Sequence, residues 1–236
     1  MAIPRWFPPG SRRSALISRL QLQRRLGWEP PEFRRAWKVL RGIEGWRYRQ
    51  DLALLYLLAR ELEDPGVTVE IGSYKGLATT ALAFGVRHGR HERVHTVDPH
   101  TGDRQALEAA GLDQLSSKED FERNVALAGI DDVVVAYTAT SDELAAGWDG
   151  TQVRLLFVDG WHSYDAVSSD LHNWAPLVTS RGAVLVDDYY NYSEVAQAVD
   201  DAADALPPRR MRAGRMYLAC HVLPSIVAQY LRIPWG

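Results

Sequence analysis

Two segments of the chain pair an apolar run with acids. RLLFVDGWHSYD, Arg154 to Asp165, reaches Asp159 and then His162, and GAVLVDDYY, Gly182 to Tyr190, reaches Asp187 and Asp188. A buried parallel strand looks like this where its C-terminal end opens into a site. Neighbouring strands lie about 4.8 Å apart, so the three acids can meet on one rim. Oxygen ligands suit Mg²⁺ or another hard divalent cation that keeps positions open for substrate. Consecutive strand side chains point to opposite faces, so Asp187 and Asp188 can both ligate only if the strand ends there. Asp188 is the first choice. His162, three residues past Asp159, is placed to accept a proton beside the cation. The chemistry this set serves is metal-assisted reaction at a hydroxyl.

A second constellation precedes it. VEIGSYKG, Val69 to Gly76, reads as a strand, a tight turn and a helix start, with Gly72 and Gly76 as G-x-x-x-G after Glu70. Glycines there let a ligand approach the backbone and the N–H groups of the helix N-terminus. A dinucleotide fingerprint needs a glycine where Tyr74 stands, so an adenosyl ligand without phosphates fits better than a pyrophosphate. Asp98 ends the next strand, in VHTVDPH, where a carboxylate accepts hydrogen bonds from ribose hydroxyls. Thr140, Ser141 and Asp142 follow a third strand and open a helix, as adenine contacts or as plain N-caps.

Alternating elements must position these groups. Strands are expected at 67–71, 93–97, 132–137, 153–158 and 183–187, interleaved with helices at 75–88, 117–128, 141–148, 164–177 and 193–205. Two short strands fall within 209–222 and a last helix at 223–231. A mostly buried helix over 48–63 leads into the sheet and stops before Asp64-Pro65-Gly66. The pattern implies an α/β fold: a Rossmann-like, doubly wound, mostly parallel seven-stranded sheet with helices on both faces. No internal repeat or low-complexity segment interrupts it.

With 236 residues and 46% hydrophobic content, the chain can bury one full core. We divide it into a basic, aromatic-rich helical arm, 1–45, and one domain, 46–236. Residues 1–50 carry a net charge of +9 and the remainder −12. Within the arm, Ser11 to Gly27 reads as a moderately amphipathic basic helix, suited to packing on a neighbouring subunit or to peripheral contact with an anionic membrane. The single cysteine, Cys220, excludes an internal disulfide and a Cys-rich zinc site. No run approaches the about 20 apolar residues of a membrane span, and no secretory signal is evident, so a cytoplasmic, at most membrane-peripheral, address is expected. Tryptophans in the arm and an apolar C-terminal helix point to a homo-oligomer.

On these motifs the chain resembles the class I S-adenosylmethionine-dependent methyltransferases. VEIGSYKG resembles the turn of catechol O-methyltransferase, and FVDGWHSYDAVSSDL with DDY resembles the macrocin and mycinamicin sugar O-methyltransferase group. The resemblance spans about Val67 to Asp200. It implies that Glu70, Gly72, Ser73, Tyr74 and Gly76 line the methionine side of the cofactor and Asp98 its ribose. Thr140, Ser141 and Asp159 complete the cofactor set. It also implies Asp159, Asp187 and Asp188 as metal ligands and His162 as the base. Ala78 stands where relatives often have Ser or Thr, so a hydrogen bond to the cofactor's carboxylate is missing or supplied by Thr79. The implied acceptor is a sugar hydroxyl in a glycoside, oligosaccharide or glycosylated natural product, with Trp161, Tyr164, Tyr189, Tyr190 and Tyr192 as stacking surfaces or ordinary packing. No nucleic-acid partner is implied.

Competing readings are a catechol-type phenol as acceptor, an NAD-dependent oxidoreductase and a non-catalytic scaffold. The missing G-x-G-x-x-G opposes the oxidoreductase, and a full set of acids and histidine opposes the scaffold. An Fe²⁺ hydroxylase needs a second histidine that the motifs do not supply.

Overall fold

The computed structural model describes residues 29–45, 47–90, 92–102 and 116–232. The basic stretch 11–27 lies outside them. The described helices are α1 (Pro31–Leu40), α2 (Arg49–Glu61), α3 (Leu77–Gly89), α4 (Lys118–Ala128), α5 (Ser141–Ala146), α6 (Tyr164–Trp174), α7 (Ser193–Asp201) and α8 (Ser225–Leu231). The strands are β1 (Val67–Ile71), β2 (Val94–Val97), β3 (Val134–Tyr137), β4 (Val153–Val158), β5 (Val178–Val186), β6 (Arg209–Ala213) and β7 (Met216–Cys220).

They form one seven-stranded sheet in the order β3-β2-β1-β4-β5-β7-β6. Strands β1 to β5 run parallel, and β7 pairs antiparallel with both β5 and β6. The order reverses between β1 and β4, and in open α/β sheets the ligand crevice lies at the C-terminal ends of the strands at that switch. Glu70↔Phe157 and Ile71↔Val158 set the register there, so Gly72 and Asp159 emerge side by side.

Strand side chains alternate between two cores. Leu155, Phe157, Leu185 and Leu218 face α1, α2, α3 and α8, while Leu156, Val158, Val184 and Val186 face α6 and α7. Helix α2 is apolar nearly all round, and residues 51–59 are all buried, as expected of a helix enclosed on every side. Arg154 of β4 is fully buried and donates from Nη1 to Ala59 O (2.9 Å) and Leu62 O (3.1 Å), capping the C-terminal end of α2.

Three differences from the sequence expectation have physical causes. β5 starts at Val178 rather than Ala183, because the residues between Val178 and Ala183 bulge out of register while Val178 still pairs with Val153. The last turns of two expected helices tighten into 3₁₀ segments, Ala175–Leu177 and Ala203–Ala205. The packing also does not change at residue 45: Phe33, Ala36 and Leu40 of α1 lie in the same core as α2 and α3. Among the described residues, no helix is long and apolar enough to cross a membrane.

Candidate active site

The β1–α3 turn lies directly on the end of β4. Gly72 has φ 87°, and a Cβ there would run into the carbonyl oxygen of Asp159, so only glycine allows this approach. Tyr74 follows with φ 47°, a left-handed position held by a non-glycine residue. What holds the turn is Asp98. Its Oδ2 accepts from Ser73 N (2.9 Å) and Tyr74 N (2.7 Å), and its Oδ1 from His100 N (2.7 Å). The carboxylate expected at the ribose therefore also ties β2 to the glycine turn, with lone pairs left for a ligand.

Glu70 is fully buried on β1. Its Oε2 accepts from Thr79 Oγ1 (2.5 Å) and Thr96 Oγ1 (2.8 Å), and burial pushes its carboxyl up to about 8 against those two hydrogen bonds. Thr79 is thus committed to Glu70 and is not the substitute at Ala78 that the sequence suggested. Glu70 Oε1 and Ser73 Oγ are buried without a hydrogen-bond partner. Unpaired buried polar atoms beside a glycine turn fit a polar ligand that completes them.

On the far side of that turn, Thr140 rather than Ser141 is the N-cap of α5. Its hydroxyl accepts from Glu143 N (3.2 Å), while Glu143 Oε2 accepts from Thr140 N (2.9 Å), a reciprocal capping box. The expected ligand role of Thr140 is therefore not visible in its side chain, which serves the helix. Ser141 donates its hydroxyl to Asp170, a buried acid of α6 pushed up to about 7 by desolvation. The sequence reading missed Asp170, whose spacing in α6 is that of any core-facing position.

At the acceptor side, β4 ends at Val158 and β5 at Val186, and Asp187 N still bonds Val158 O (2.9 Å). Asp188 then turns with φ 56°, an uncommon backbone position for a residue with a side chain. The two aspartates consequently diverge. Asp188 Oδ2 faces His162 Nε2 at 3.0 Å and its Oδ1 accepts from Asn191 Nδ2 (2.6 Å). Ligand atoms of Asp159, His162 and Asp188 all lie within 4.8 Å of one another, a donor set of two carboxylates and one imidazole that can hold a divalent cation. Asp187 instead faces Arg47, whose Nη1 stands 2.9 Å from Asp187 Oδ2 while Nη2 contacts Asp159 Oδ2.

Burial pushes Asp159 up to about 7, with Asp187 adding to the rise and Arg47 opposing it. Burial acts in the same sense on Asp188, but hydrogen bonds from His162 and Asn191 outweigh it and hold that carboxyl down at about 2. Arg47 is reinforced in its charged form, since Asp159 and Asp187 outweigh its desolvation. Behind it sits Asp51, buried at the start of α2 and pushed up to about 6 by burial, with Arg215 Nε 3.9 Å from its Oδ2.

The aromatics divide. Tyr164 donates to Asp201 (3.0 Å) and Tyr189 to Asp200 (2.8 Å), with the Tyr189 ring against Tyr217, so both are packing. Trp161, Tyr190 and Tyr192 are exposed. The Tyr192 ring lies parallel to that of His162 at 4.4 Å, and Tyr190 carries the Arg212 guanidinium over its face at 4.4 Å.

A family model described as a methyltransferase domain (Methyltransf_24) matches residues 69–189, just over half of the chain. The chain belongs to this family. The structure of the O-methyltransferase NovP is 20% identical, with a TM-score of 0.63 over 73% of this chain and 79% of that one. CalS11, a calicheamicin methyltransferase, is 18% identical with a TM-score of 0.56 over 91% and 95%. The O-methyltransferase TomG from Streptomyces achromogenes, solved in complex with S-adenosylmethionine, is 18% identical with a TM-score of 0.53 over 80% and 88%. What these structures share with the chain is the fold. The protein is a methyltransferase with the class I, S-adenosylmethionine-dependent architecture that its sequence resembles.

Proposed function

We propose that the protein transfers a methyl group from S-adenosylmethionine to a sugar hydroxyl of a glycoside or glycosylated natural product, assisted by a divalent cation. The observation that carries this reading is the convergence of Asp159, His162 and Asp188 within 4.8 Å, immediately beside the glycine turn at Gly72. Glu70 Oε1 and Ser73 Oγ, buried and unpaired, suit the polar amino-acid end of the cofactor. Exposed Trp161, Tyr190 and Tyr192 offer flat faces for a sugar ring. One structural neighbour, CalS11, is described as a TDP-rhamnose 3'-O-methyltransferase, which favours the sugar over a catechol.

Methyl transfer is an in-line displacement: the acceptor oxygen bonds to the methyl carbon as the carbon–sulfur bond breaks, and S-adenosylhomocysteine leaves. An alcohol is a weak nucleophile until its proton is leaving. A cation held by Asp159 and Asp188 would orient the hydroxyl and lower its pKa. His162 Nε2 takes the proton. It can do so only in the tautomer that leaves that nitrogen without a hydrogen, which a cation held at Asp188 would favour over donation to the carboxylate. The ring stack with Tyr192 fixes the imidazole plane for this role.

The test is incubation with methyl-labelled S-adenosylmethionine and a panel of glycosides and catechols, with Mg²⁺ or with EDTA. Label should appear on a glycoside and be lost with the chelator. Labelling of catechols alone would replace the sugar, and a rate indifferent to EDTA would remove the cation.

A further inference from the structure

Arg47 lies far from the acid motifs in sequence and yet touches both strand ends, contacting Asp159 and Asp187 together. Its side chain is 7% exposed, and its Cζ lies 5.1 Å from the centroid of the Phe157 ring. The flanking segment is anchored as well: Glu44 Oε2 accepts from Lys75 Nζ (2.8 Å) on the cofactor turn. Asp187 is 4% exposed, against 16% for Asp188 and 20% for Asp159, so it is turned into the protein while the other two face the open side.

The geometry points to Arg47 as a resident cation of the acid site, a positioning residue that clamps Asp159 to Asp187, withdraws Asp187 from the ligand set and leaves the divalent position to Asp159 and Asp188, with His162 beside it. This rests on the cation reading above. The charges agree with it. Ionised, as cation binding requires, the three carboxylates carry −3, Arg47 reduces this to −2, and one divalent ion neutralises the remainder, so the two cations complement rather than displace each other. A carboxylate has two oxygens, and Asp159 can serve both sides.

Mn²⁺ binding to the full chain, read from the free-ion signal by electron paramagnetic resonance, tests this without turnover. Asp188→Asn should weaken binding by about tenfold or more, while Asp187→Asn should leave it unchanged. Arg47→Met should free Asp187 as a ligand and tighten Mn²⁺ by about tenfold, a gain that adding Asp187→Asn reverses; Arg47→Lys, which keeps the charge, should bind as wild type does. Circular dichroism checks that each variant is folded. If Arg47→Met does not fold, Asp187→Asn decides alone. Weakening by Asp187→Asn as strong as that by Asp188→Asn, or a folded Arg47→Met with no gain, overturns the proposal. A wild type that binds no Mn²⁺ removes the cation reading instead, and Arg47 is then judged by whether Arg47→Met creates a site that Asp187→Asn abolishes.

Discussion

His162 Nε2 stands 3.0 Å from Asp188 Oδ2, on the open side of the two strand ends, with its ring stacked on Tyr192. On the proposed cation reading the imidazole would be either a ligand of the ion or the base beside it, and the two roles separate on mutation. As the base, His162→Ala should lower turnover by roughly 10² to 10⁴ while S-adenosylhomocysteine and Mn²⁺ binding persist. Calorimetry and single-turnover rates measure both. Loss of Mn²⁺ binding in that variant would make His162 a ligand.

Asp98 accepts three backbone N–H groups and holds the cofactor turn by its charge. Replacing it with Asn puts an N–H₂ where at least one of those donors points. Hydrogen bonds to a charged acceptor contribute about 1.5–3 kcal/mol each, so Asp98→Asn should weaken S-adenosylhomocysteine by at least about tenfold. Amide exchange at Ser73 and Tyr74 should quicken in parallel. Unchanged affinity with intact protection would mean the turn does not depend on this carboxylate.

Much of this site could be read from short-range pattern. Val67–Ile71 and Val153–Val158 agree with the expected strands because an apolar run and a following glycine or acid are local signals, and Asp159 and His162 follow the second of them. Arg47 had no such signal. It lies just past the 1–45 arm, in a basic stretch with no motif around it, and its partners are more than a hundred residues away. Asp170 was hidden for the opposite reason, as one polar residue on an otherwise ordinary helix whose partner, Ser141, is reached only once α5 and α6 pack. The divergence of Asp187 from Asp188 depends on a backbone turn, φ 56° at Asp188, that two identical side chains do not announce.

Gly72 links the two halves of the site mechanically. Alanine there would need both a left-handed backbone and space that the Asp159 carbonyl occupies. The turn would have to move away from β4, carrying Ser73 and Tyr74 off Asp98. Gly72→Ala should lose cofactor binding outright and lower the melting temperature by several degrees, as strain and overpacking of about 1–3 kcal/mol do in a domain of this size. Thermal unfolding with and without S-adenosylhomocysteine reads both effects. A variant still stabilised by the ligand would show that the close approach is dispensable.

Asp170 gives the fold a pH dependence whose sign is fixed by its burial. Burial pushes its folded carboxyl up to about 7, well above the ordinary aspartate range. A raised pKa means the folded state holds the proton more tightly than the unfolded chain does. The associated stability is fully present below about pH 4 and is lost progressively as pH rises through 7. Asparagine cannot ionise, yet its carbonyl still accepts from Ser141. Asp170→Asn should therefore unfold at a higher temperature than wild type at pH 8, with the difference shrinking as pH falls toward 4. Melting curves of both proteins across that range, taken without cofactor, measure the trend. A difference that stays constant with pH would mean that Asp170 is ionised in the folded protein at all these values, and that Ser141, rather than a proton, satisfies it.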